Sequence, residues 1–97
     1  MKANEFVQKF GWSIVAYCVE YHIDADGIMV YMDHILKGDD IANLKRLVES
    51  YEIVKDFYGL AKAKEYAESK YTAPEVAERL KQAIADVESV ESLKEMT

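Results

Sequence analysis

The sequence predicts one mostly α-helical domain, a compact bundle of about four to five helices. Three observations carry that prediction. Apolar residues recur at three- and four-residue spacing over long stretches, as in Ile41, Leu44, Val48 and Tyr51, or Leu80, Ala83, Val87 and Val90. Turn-forming Gly and Pro residues fall between these stretches instead of inside them. A hydrophobic content of 51% over 97 residues suits one buried core and leaves too little chain for two.

The segment "MKANEFVQKFGW" starts a short helix with Asn4 as its expected N-cap, places Phe6, Val7 and Phe10 on one side, and stops at Gly11. Ser13 to His22 follows as a second helix. It is so apolar that burial on most sides, in the core or an interface, is expected. "DADG", Asp24 to Gly27, is a turn by composition. The stretch 28–37 then admits a short two-stranded ribbon, "IMVYM" returning as "HILKGDD", or a helix. Asp39 or Asp40 is the expected cap of a long helix whose core face is Leu44, Leu47, Val48, Tyr51, Val54 and Tyr58, ended by Gly59. A thinner helix, Leu60 to about Tyr71, exposes more of itself. "TAPE" predicts the last helix start, with Thr72 as cap, Pro74 in the first turn and Glu75 closing a capping box. Val76, Leu80, Ala83, Val87 and Val90 form a heptad-like seam along it, whose partner is the same chain or another.

A net charge of −6 and a pI near 4.8 disfavour direct binding to nucleic acid or anionic membrane, since phosphate contacts need clustered Lys and Arg. Residues 1–40 hold seven acids and three bases. The single Cys18 makes no internal disulfide, and the longest apolar run is too short to span a bilayer. A cytoplasmic setting is expected.

Chemistry is thinly supplied. Cys18 and His22 stand at i and i+4, and two ligands are half a metal site; His34 and Asp33 complete it only if the ribbon folds over the helix. A buried thiol beside a partly exposed histidine is the simpler reading. "DADG" shares the opening of a calcium loop, but Ile28 to Met32 supply no oxygen ligands. "FVQKFGW" before an apolar helix has the shape of a helix-turn-helix, yet "SIVAYCVEYH" offers nothing basic or amidic to read bases. No nucleophile–base pattern or phosphate loop appears, so a non-enzymatic protein without metal or cofactor is expected. The notable cluster is acidic: Glu20, Asp24, Asp26, Asp33, Asp39 and Asp40 lie in a span whose one base is Lys37. If they converge, they suit a basic groove on a partner protein. The other class of function is a homo-oligomeric structural module joined through the Val76–Val90 seam or an edge strand at Ile28 to Met32.

The pieces "MKANEFVQKFGW", "LKRLVESYEIV" with its following Gly-Leu, and "RLKQAIADVES" resemble small accessory proteins encoded by temperate tailed phages of enteric bacteria. The resemblance implies a protein made inside an infected bacterium that binds, redirects or inhibits host machinery, nucleic-acid-handling defence complexes included. It assigns no residue a role.

Overall fold

Among the described residues, five helices and one hairpin follow each other: α1 (Ala3–Phe10), α2 (Trp12–Tyr21), β1 (Met29–Tyr31), β2 (His34–Leu36), α3 (Asp39–Asp56), α4 (Leu60–Glu68) and α5 (Pro74–Glu95). The computed structural model describes residues 2–95. The predicted mostly helical bundle is the observed one, and of the two options for 28–37 the ribbon forms.

α1 buries Phe6 and Val7 of the predicted stripe together with Ala3, and Phe10, the third member, is partly buried against the core. Its N-cap is Lys2 with no side-chain cap; Asn4 lies one residue inside the helix. At Gly11 the backbone takes φ +87 and ψ 157, a region essentially open to glycine alone, so α2 begins at once in a new direction. α2 buries Val15 and Cys18 but exposes Ile14, Tyr17 and Tyr21, so the chain itself covers one side of a helix expected to be buried on most sides in the core or an interface.

The turn at "DADG" is tied by Asp24, whose Oδ1 accepts the backbone N–H of Asp26 at 2.9 Å and of Ile28 at 3.0 Å. β1 and β2 then pair antiparallel, Met29 with Leu36, Val30 with Ile35 and Tyr31 with His34. The two-residue connection, Met32 and Asp33, has φ +47 and +71, the type I′ geometry that matches strand twist. Alternation points Met29, Tyr31, His34 and Leu36 toward α1 and the core, leaving Val30 and Ile35 outside.

α3 and α5 pack lengthwise and form the spine. Neither Asp39 nor Asp40 caps α3: both lie in its first turn after Gly38, where their charge complements the helix dipole. α3 closes as a Schellman motif, with the Gly59 N–H on the Val54 carbonyl and the Tyr58 N–H on the Lys55 carbonyl, both at 3.0 Å. Tyr58 takes the left-handed conformation (φ +67) and is 84% exposed, so it leaves the predicted core face. α4 stops at Glu68, short of Tyr71, which is exposed. Thr72 does not cap α5 either. Its hydroxyl donates to the Tyr66 carbonyl at 2.6 Å, closing α4, and the Ala73 carbonyl takes the first α5 bond from Ala77.

The predicted α5 seam is real but internal. Leu80, Ala83, Val87 and Val90 are buried against α3, α4 and α1 of the same chain, and Val76 alone of the five is exposed. The seam is therefore corrected from a candidate oligomer interface to core. Two clusters result, one of α1, α2, ribbon and the first half of α3 with Val90, the other of the α3 end, α4 and most of α5. Trp12 touches both, stacked on Tyr51 with ring centroids 4.6 Å apart.

Candidate functional site

α2 and the ribbon together carry the largest concentration of exposed apolar side chains. Ile14, Tyr17 and Tyr21 follow each other at helical spacing, with exposures of 41%, 55% and 66%. Val30, Met32 and Ile35 on the outer side and tip of the ribbon are 52%, 69% and 63% exposed. Ring contacts join the two elements: Tyr17 with Tyr21 at 4.9 Å, Tyr17 with His22 at 5.5 Å, and His22 with Tyr31 at 5.7 Å. Tyr31 in turn stands edge-on to Phe10 at 5.2 Å, so the exposed face is backed by a rigid aromatic layer. The apolarity of 13–22 was legible in the sequence, as burial in the core or in an interface. The signal was available, since a helix with two opposite apolar sides has more surface than a small core can cover.

The six acids do not converge as one patch. Glu20 is exposed on α2, and Asp24, Asp26 and Asp33 are exposed in the two turns. Antiparallel pairing of Met29 with Leu36 sets Asp24, Asp26, Asp39 and Asp40 at one end of the ribbon and Asp33 at the other. Asp24 is also engaged in its own turn. Asp40 is half-buried and lines a cleft of about 280 Å³ with Lys2, Asn4, Asn43 and Arg46, where nearby cations balance it. Glu20, Asp26 and Asp33 are left as acids flanking the aromatic face.

Cys18 is wholly buried, and burial pushes its thiol above the ordinary value of 9.0. It is neutral and shielded, whereas His22, four residues on, is exposed among tyrosine rings. His34 packs on Phe10, with Lys9 Nζ 3.4 Å from its Nε2. Among the described residues no three His, Cys, Asp or Glu side chains are placed to hold a metal ion.

A buried polar pair escaped the sequence reading. Ser50 Oγ donates to Asp86 Oδ2 at 2.6 Å, Gln82 Nε2 donates to Oδ1 at 3.3 Å, and Arg46 Nε stands 3.4 Å from Oδ2. Arg46 thus turns across to α5. Ser50 sits between Leu47 and Val54, and Asp86 between Ala83 and Val90, each at core spacing. A polar residue at a core position in two helices that pack together was the sign to read. The pair ties α3 to α5 inside the bundle.

No helix among the described residues is long and apolar enough to cross a membrane. Comparison with protein-family models, with curated proteins and with solved structures finds no match to this chain. The likeness to phage accessory proteins therefore rests on the quoted segments alone.

Proposed function

We propose that the protein is a non-enzymatic interaction module that binds a partner protein of basic surface through the exposed face of α2 and the adjoining ribbon. One observation carries the reading: six exposed apolar side chains, two of them tyrosines, gathered on adjacent elements. Single exposed hydrophobes are ordinary, but several of them on two elements in contact are the material of a contact surface. Tyrosine supplies large contact area at small entropic cost, which is why it anchors interfaces. Glu20, Asp26 and Asp33 give the rim its sign, and a net charge of −6 steers cationic surfaces toward it. A complex whose groove otherwise holds nucleic acid has that chemistry, so inhibition by occupying such a groove is the mechanism this surface supports.

The test uses photo-crosslinking residues placed singly at Tyr17 and Tyr21, with the still more exposed Tyr58 and Tyr71, on other elements, as controls. In bacterial lysate, positions 17 and 21 are expected to trap the same basic-grooved partner, with trapping lost at high salt. Equal trapping from all four positions would show that the face is not the binding surface.

A further inference from the structure

The fold leaves one strand edge open. On the outer side of β1, Ile23 forms an antiparallel bridge with Met29, and the Asp24 N–H donates to the Ile28 carbonyl at 3.0 Å. That corrects the edge expected at Ile28 to Met32, which is already partly taken. Beyond β2 no further strand lies among the described residues. In a type I′ hairpin Tyr31 and His34, which flank the turn, exchange the hydrogen bonds. Ladder alternation then directs the N–H and C=O of Ile35 outward. Asp33, Ile35 and Lys37 alternate along this edge and all three are exposed.

We propose that the β2 edge pairs antiparallel with the β2 edge of a second copy, about a two-fold axis at Ile35. Such pairing is self-complementary here. Ile35 meets Ile35 of the other copy and exchanges both backbone hydrogen bonds with it, while Asp33 of each copy stands opposite Lys37 of the other. An acid two residues before the axis and a base two residues after it is the pattern an isologous contact requires. The resulting four-stranded sheet sets Val30 and Ile35 of both copies side by side on one face.

Net charge opposes self-association in general, but the acid within this contact, Asp33, faces Lys37, and Asp39 and Asp40 lie beyond it at the start of α3. Glu20, Asp24 and Asp26 belong to α2 and the turn on the β1 side, whereas β2 is flanked by Lys37 and by Lys9 against His34. β2 also lacks a proline or an inward charge, two common guards of an exposed edge. The pairing draws on Val30 and Ile35 of the ribbon, which the binding face above also includes, but it leaves Tyr17 and Tyr21 of α2 uncovered, so crosslinking from those two positions tests that face separately.

Three strand residues make a small contact, so a Kd on the order of 0.1–1 mM is expected. Sedimentation equilibrium on the full chain, from about 20 µM to about 1 mM, is expected to show mass rising from monomer toward dimer, with the Ile35 amide resonance shifting in step. Asp33→Lys alone and Lys37→Asp alone are each expected to weaken association about tenfold or more, both remaining folded by their amide spectra. An equal mixture of these two variants should associate as heterodimer, and the double reversal should regain wild-type affinity. A wild type that stays monomeric at the top concentration overturns the proposal. So does a dimer that neither reversal weakens, or single variants that do not rescue each other.

Discussion

At the residue scale, Ser50 and Asp86 show how much one buried hydroxyl can matter. The carboxylate is 6% exposed and its shortest bond, 2.6 Å, comes from Ser50. Charge-assisted bonds of this length are strong, and a buried carboxylate deprived of one keeps its desolvation cost. Ser50→Ala is expected to destabilise the protein by roughly 1–3 kcal/mol. Ser89 donates to the Asp86 backbone carbonyl instead, a bond local to α5, so Ser89→Ala is expected within about 0.5 kcal/mol of wild type. Urea unfolding of the two variants side by side measures the difference. Equal small effects would mean that Gln82 and Arg46 satisfy Asp86 unaided.

At the element scale, the end of α3 separates two residues that sequence treats as one stop. Gly59 ends the helix as predicted, but the left-handed position belongs to Tyr58, and Gly59 takes φ +105 and ψ 175. Substitutions at the two sites therefore have opposite signs. Tyr58→Gly relieves a side chain from a left-handed backbone and is expected to stabilise by about 1 kcal/mol. Gly59→Ala forces a Cβ into a region that only glycine visits and is expected to cost about 1–3 kcal/mol. A Cβ there meets nothing within 4 Å, so the cost is torsional and repacking cannot remove it. Thermal melts of both variants check the signs; a destabilised Tyr58→Gly would reveal packing by the tyrosine that its 84% exposure does not suggest.

At the scale of the whole molecule, α3 and α5 each contribute to both core clusters, and Trp12 lies between them. The radius of gyration is 14.4 Å, against about 12.5 Å for a compact chain of this length, so the molecule is elongated along its spine. Long helices shared by both clusters couple them, because neither can lose its half of α3 or α5 without exposing the other's. Unfolding followed by Trp12 fluorescence and by far-UV circular dichroism is therefore expected to coincide. Leu80→Ala, in the cluster away from the ribbon, is expected to cost about 2–5 kcal/mol of stability and to lower both midpoints together. Fluorescence that changes at lower denaturant than helicity would mean that the two halves unfold separately.

The sequence by itself determined a mostly helical bundle of about four to five helices in this order, the turn at Asp24 to Gly27 and most of the stripes that become core. Each follows from local periodicity and from backbone preferences of single residues. It did not place the caps, because Thr72 and the Asp39–Asp40 pair have several donors and acceptors within reach, and small differences in chain path choose among them. It read the α5 seam correctly as a packing surface but not whose, since periodicity measures how apolar a side is and not what covers it. The same ambiguity hid the α2 face. Val15 and Cys18 are covered while Tyr17 and Tyr21 are not, although all four belong to one apolar run. Only the tertiary structure decides this, because burial depends on how much surface α1, α3 and the ribbon have to offer, a sum over residues far apart in the chain.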